Sequence, residues 1–488
     1  MSNIDQSSES ACIRQYEMDT LLAEIAYFEK VTAASSGITA AALKNLQNRP
    51  HLVRLIESKF GGWLIGLLQH SIWAVKSRLP GKGKPVPMGT LPDQGSPEGK
   101  ISPPDLVQTK FDESILTHRP KILIDTTPTF RRPESGGGIP RVVREFAKSA
   151  VETGLALPVY IENGELFSYF AHPALRGPIE TDSDDIYVIV DIFWYFLDEY
   201  QGMLKSLHSK GTKSAVIVHD IFPLKFPSFY PEEVPPAFEK GLIEFLNGSD
   251  YCLSISKSGQ NDIIEYFHSM KHSDMPRVIF DTIYLGAIQK ADSGNGIRQS
   301  ISDLFASDRV FLSVGTLEPR KGYGISLDAC ELAWDRGTDF SYVIIGRYGW
   351  RSEALRSRIY GHPEYGKRLF WIQDASDTEL DFAYARCRSL VQSSIAEGFG
   401  LPLIEASQRG APIIASDLPV FREIGGSELA YFPVGCPAGL SQALSECLAA
   451  PRHPAKIPLR SWSDSVRGLA ACLAGRNDGK RPGETTRP

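Results

Sequence analysis

Two glutamates with seven residues between them, Glu397 and Glu405, stand in the run SSIAEGFGLPLIEASQRGAPIIASDLP, residues 393–419. Glu397 ends a strand-to-loop passage, Gly398, Phe399, Gly400 and Leu401 follow, and Pro402 stands where a helix begins. The glycines admit a ligand close to the backbone, and the positive end of the next helix favours an anion there. A carboxylate beside an anion site suits sugar hydroxyls. A second loop lies in VFLSVGTLEPRKGYG (310–324), where Gly315 and Thr316 follow an apolar run and Arg320 and Lys321 are adjacent cations. Arginine grips phosphate through two parallel N–H donors and lysine acts as a point charge, so the pair fits a leaving diphosphate. Arg347 follows a third run, SYVIIG (341–346).

Upstream, VIVHD places His219 and Asp220 at another strand end, and Gly136, Gly137 and Gly138 join a strand to a helix that carries Arg141 and Arg144. The triple glycine suits a phosphate or an acceptor at a helix N-terminus. The dinucleotide pattern G-x-G-x-x-G fails because Arg141 takes the third glycine position, which weakens a nicotinamide reading. Each feature also has a plainer reading: a strand–turn–helix corner, two solvated loop cations, a histidine capping a strand end. Asp182-x-Asp184 has the spacing of a metal-binding pair but reads as a solvated turn, with no metal site expected.

Positioning these residues requires strands that end at them. Apolar runs at 121–125, 157–161, 186–190, 214–219, 251–256 and 278–283 alternate with helical patterns. After a break at 291–296, further runs fall at 310–315, 341–346, 369–373, 389–394 and 412–416. Continuous apolar strands between helices mark parallel sheets covered on both faces, and two successive sets predict two doubly wound α/β lobes. In such lobes ligands sit at the carboxyl ends of the strands, where the motifs fall. Asp377 is expected to cap a helix, with Leu380 and Tyr384 packing on one of its faces.

The EGFGLP core with its paired glutamates, together with the PRKG loop, resembles the family 4 glycosyltransferases, over roughly 120–475 and most firmly in the second half. The resemblance implies the GT-B fold, two Rossmann-like lobes facing across a cleft, and retaining transfer of a sugar from a nucleotide diphosphate donor. It implies that Glu397 contacts the donor sugar and that Glu405 holds the ribose. Arg320 and Lys321 would stabilise the diphosphate, His219 would stand near the reacting carbon, and Gly137 and Gly138 would face the cleft. Backbone from Gly398 to Leu401 would meet the sugar and a phosphate, with Gly315, Thr316 and Arg347 near the nucleotide. Many members have Gly-Arg after the strand. Gly315-Thr316 stands there in this chain, which shifts weight onto Arg320. The blocks resemble bacterial polysaccharide mannosyl- and rhamnosyl-type transferases, and the resemblance implies GDP-mannose as donor and a saccharide acceptor, lipid-linked in such systems. No cofactor is implied beyond the nucleotide sugar. A phosphorylase, a nucleotide-sugar epimerase or a non-catalytic sugar-binding protein on the same fold stays open.

The expected division is a helical extension (1–79), a Pro/Gly-rich linker (80–118), an acceptor-side lobe (119–295), a donor-side lobe (296–475) and a tail (476–488). The linker rests on Pro80 to Pro104, where twelve of 25 residues are Pro or Gly. Within 60–84, Trp63, Trp73 and several leucines precede Lys76, Arg78, Lys82 and Lys84, a pattern that fits a peripheral contact with an anionic membrane as well as plain packing. A net charge of −6 speaks against a nucleic-acid partner, and seven scattered cysteines without C-x-x-C spacing fit a reducing cytoplasm.

Overall fold

The computed structural model describes residues 13–20, 22, 113–116, 121–131, 137–170, 172–192, 194, 196–269, 278–287 and 296–474. Gly136, the linker apart from 113–116, the stretch 60–84 and the tail lie outside the described residues.

The first lobe is built on seven strands. They are β1 (Ile122–Asp125), β2 (Leu157–Glu162), β3 (Glu165–Ser168), β4 (Ile186–Ile189), β5 (Lys213–Val218), β6 (Tyr251–Ser254) and β7 (Ile279–Thr282). Their order is β3-β2-β1-β4-β5-β6-β7, parallel throughout except for the β2–β3 hairpin at one edge. The second lobe holds β8 (Val310–Val314), β9 (Ser341–Ile345), β10 (Leu369–Ile372), β11 (Ser389–Gln392), β12 (Ile413–Ser416) and β13 (Ala430–Phe432). Their order is β10-β9-β8-β11-β12-β13, every neighbouring pair parallel. This is the doubly wound order in which the chain leaves β8 to either side, so a crevice opens between the ends of β8 and β11. The chain thus has the two-lobed GT-B architecture.

The helices that bear on the cleft are α1 (Gly138–Thr153), α2 (Lys257–Ser269), α3 (Tyr323–Asp335), α4 (Glu353–Tyr360), α5 (Asp377–Arg386), α6 (Leu401–Gln408), α7 (Pro419–Gly425) and α8 (Trp462–Ala474). On α1, Val142, Val143, Phe146, Ala147, Ala150 and Val151 recur at helical spacing and are buried, turning Arg141 towards the cleft side. α8 returns to the first lobe. Trp462 meets Phe146 of α1 edge-on at 6.2 Å, and a Cβ on Gly286 would lie 2.5 Å from the Trp462 backbone nitrogen. One apolar core therefore runs from the first lobe into the second.

Asp377 does not cap α5. Ser376 does, accepting from the Glu379 amide while the Glu379 carboxylate accepts from the Ser376 amide. This reciprocal box satisfies two helix-end donors at once, which Asp377 one position later cannot do. Asp182, Ser183 and Asp184 form an exposed turn in which Asp182 accepts from the Asp184 amide at 3.0 Å. Among the described residues no helix is long and apolar enough to cross a membrane.

Candidate active site

The turn after β8 and the loop after β11 meet at the crevice. Gly322 ends the Pro319–Lys321 turn at φ 66°, and a Cβ there would lie 2.0 Å from the Ser393 carbonyl oxygen. Only glycine lets these two backbones touch, and their contact delivers Arg320 and Lys321 to Glu397. Lys321 Nζ lies 2.6 Å from Glu397 Oε1, and Arg320 Nη1 lies 3.2 Å from Oε2. Gln392 Nε2 and Ser394 Oγ donate to Oε1 at 3.1 and 2.8 Å. Arg320 Nε also donates to Glu318 at 3.0 Å. Burial pushes the Glu397 carboxyl up, but Lys321 and Arg320 outweigh it and bring it down to about 2. Burial likewise opposes the Arg320 charge, and Glu318 and Glu397 hold it above its ordinary range. The cations read from the sequence as a diphosphate clamp and the glutamate read as a sugar contact are one ion-pair cluster.

Glu405 sits on α6. Its Oε1 accepts from Arg141 Nη1 of the opposite lobe at 3.1 Å, and its Oε2 accepts from the Tyr384 hydroxyl at 2.7 Å. Arg141 entered the sequence reading as a helix residue after the triple glycine that breaks the dinucleotide pattern, and Tyr384 only as packing. Their partner is 264 and 21 residues away respectively, so no local signal marked them.

The lobes meet around the same cluster. Gly398 is glycine because the first lobe's backbone occupies the space beside it: a Cβ would lie 2.5 Å from the His219 carbonyl oxygen. Ser256 donates to the Gly398 carbonyl at 2.8 Å, and Glu423 of α7 accepts from the Lys257 and Ser258 amides at the start of α2, at 2.7 and 2.9 Å. His219 is 9% exposed, and its Nε2 lies 2.7 Å from the Val190 carbonyl. A carbonyl can only accept, so Nε2 carries the proton. Burial lowers the His219 pKa, which keeps the ring neutral and leaves Nδ1 as an acceptor. Burial raises the neighbouring Asp220, with Arg320 opposing.

The remaining predicted residues differ in their exposure. Gly137 and Gly138 are exposed at the start of α1, with no atom within 4 Å of a Cβ on Gly138. Gly315 accepts from the Tyr323 hydroxyl at 2.6 Å, Thr316 is half-buried beside it, and Arg347 is exposed with its carbonyl bound to the Leu317 amide at 2.8 Å. Phe399 is buried, while Gly400, at φ 106°, and Leu401 open α6. Trp350 donates to the Phe229 carbonyl of the first lobe at 3.0 Å and lies over Tyr230 at 5.9 Å. Among the described residues no group of three His, Cys, Asp or Glu side chains gathers in a form that would hold a metal ion.

Two doubly wound lobes with a charged cluster at a strand-end crevice define a GT-B protein. Residues 298–457, which contain the whole cluster of Glu318, Arg320, Lys321 and Glu397, match the family model of the glycosyl transferases group 1. Serotype-specific mannosyltransferase WbdA from Escherichia coli is 31% identical over 355 residues, which is 69% of this chain and 43% of that protein. O-antigen chain mannosyltransferase B from Escherichia coli is 26% identical over 239 residues, 46% of this chain and 59% of that one. The solved sucrose-phosphate synthase from Thermosynechococcus elongatus is 15% identical, with a TM-score of 0.49 over 73% of this chain and 95% of that one. This chain is a GT-B protein related to the bacterial mannosyltransferases, and it spans less than half the length of WbdA.

Proposed function

We propose that the protein transfers a hexose, with retention, from a nucleotide diphosphate sugar to a saccharide hydroxyl. The observation that carries the reading is the Arg320–Lys321–Glu397 cluster at the β8/β11 crevice, closed over by His219 of the opposite lobe. Two cations at a strand end meet the charge a departing diphosphate gains, and they are held rigid before the reaction begins. Glu397 fixes those cations and faces the sugar. Glu405 takes the ribose hydroxyls in exchange for Arg141. Neutral His219 accepts from a donor sugar hydroxyl through Nδ1.

In the reaction the bond from the anomeric carbon to the phosphate oxygen breaks. The acceptor hydroxyl attacks on the same face, and its proton passes to an oxygen of the departing phosphate. No protein carboxylate forms a bond to the sugar. Relatedness to bacterial mannosyltransferases favours GDP-mannose as donor and a polysaccharide precursor as acceptor, with transfer taking place in the cytoplasm. The stretch 60–84 is proposed to bring the enzyme to a lipid-linked acceptor at the membrane surface.

A thermal-shift screen with GDP-, UDP-, ADP- and dTDP-sugars tests the reading. A donor at about 100 times its dissociation constant stabilises the protein by roughly 2.7 kcal/mol. Stabilisation by GDP-mannose above the others is the expected result, and no response to any nucleotide sugar would overturn the proposal. Turnover with inorganic phosphate as acceptor would reassign the site to a phosphorylase.

A further inference from the structure

The helix 13–20 precedes both lobes in sequence yet lies across their junction. Met18 is 1% exposed, so the helix is seated. Tyr16 touches both sides. Its ring meets Phe229 of the first lobe edge-on at 6.3 Å, and its hydroxyl donates to the Pro319 carbonyl of the second at 3.0 Å. The next residue, Glu17, accepts from the Ser228 hydroxyl at 3.1 Å. Phe229 is itself a junction residue, because its carbonyl takes the Trp350 indole N–H. On the second lobe, the ring packs beside Gly324, where a Cβ would meet it at an ordinary contact distance of 3.6 Å.

Pro319 opens the turn that carries Arg320 and Lys321. Its carbonyl accepts from the Gly322 amide at 3.1 Å and from Tyr16. We propose that Tyr16 is a positioning residue for donor cleavage. Anchored on Phe229, it fixes the Pro319–Lys321 turn so that both cations keep their station when the lobes close on the diphosphate. This rests on the reading of that turn as the diphosphate site. Tyr16 touches neither Arg320 nor Lys321, so its effect runs through the backbone of the turn. A hydrogen bond between two neutral groups typically contributes a factor of about 3 to 10.

The test uses the full chain and the donor selected by the thermal-shift screen, at saturating acceptor. Tyr16→Phe keeps the ring contact and loses the hydroxyl's bonds to the Pro319 carbonyl and the Thr20 side chain. It should lower kcat about 3- to 10-fold with donor KM unchanged. Tyr16→Ala should lower kcat further and lower Tm as well. Ser228→Ala, which loosens the helix on the first lobe alone, should leave kcat at the wild-type value. Wild-type kcat in Tyr16→Phe overturns the inference. So does a loss of kcat in Ser228→Ala equal to that in Tyr16→Phe, because the helix would then matter only as packing. If the wild type transfers no sugar, the function reading fails and calorimetry with GDP and UDP decides the positioning, since a free diphosphate carries the charge that transfer develops. Weaker binding by Tyr16→Phe then supports the inference, and equal binding, or none by the wild type, overturns it.

Discussion

Replacing Lys321 with alanine separates what the ion pair does for the fold from what it does for transfer. In the wild type Lys321 and Glu397 are 10% and 6% exposed and 2.6 Å apart. Glu397 stands at about 2 in the fold against an ordinary 4.5. At about 1.36 kcal/mol for each pKa unit, the difference is worth roughly 3 kcal/mol at neutral pH. Arg320, Gln392 and Ser394 still hold the carboxylate in the variant, so about 1–2 kcal/mol of this is expected to go. A depressed carboxyl stabilises the fold fully above its unfolded value of 4.5 and loses that contribution as pH falls towards about 2. The gap between wild type and variant should therefore be full at neutral pH and narrow through that window. Urea unfolding of the wild type, Lys321→Ala, Glu397→Gln and the double variant measures it. With Glu397→Gln already present, losing Lys321 should cost nothing further at neutral pH. Turnover of Lys321→Ala should meanwhile fall by about 10²–10³, the usual consequence of removing one group aimed at developing charge. Near-normal turnover at saturating donor refutes the leaving-group role. An equal stability cost with and without Glu397 refutes the pairing argument.

Glu405→Ala is expected to raise donor KM more than it lowers kcat, because ribose contacts change little during the reaction, and Glu397→Ala to strike kcat. Steady-state kinetics showing the reverse would exchange their roles. Gly322→Ala should destabilise the second lobe by more than about 2 kcal/mol in urea unfolding, since a positive φ and a clash with Ser393 act together; a stable, active variant would show that the turn can move. Transfer should persist in excess EDTA, because Arg320 and Lys321 supply the positive charge, and complete loss restored by magnesium or manganese would count against that assignment.

Much of the second lobe was legible in the residues because its signals are local. A buried parallel strand needs an unbroken apolar run, so VFLSV and SYVII announce β8 and β9. The edge strand β3 was missed although Asn163 and Gly164, both at positive φ between LPVYIE and ELFS, carry the usual signature of a tight hairpin. β13, three residues long, offers too little pattern to read. Glu397, Glu405, Arg320 and Lys321 could be picked out by type and spacing, but their partnerships could not. Tertiary structure turned two separate assignments into one ion-pair cluster. It set Arg141 against Glu405, brought Ser256 to Gly398, and laid Tyr16 against Pro319, 303 residues further along the chain. Strand and helix patterns are dictated by neighbours a few positions apart and are therefore written in the sequence. Which charges meet across the cleft depends on how the two lobes close on each other, and only the folded chain decides that.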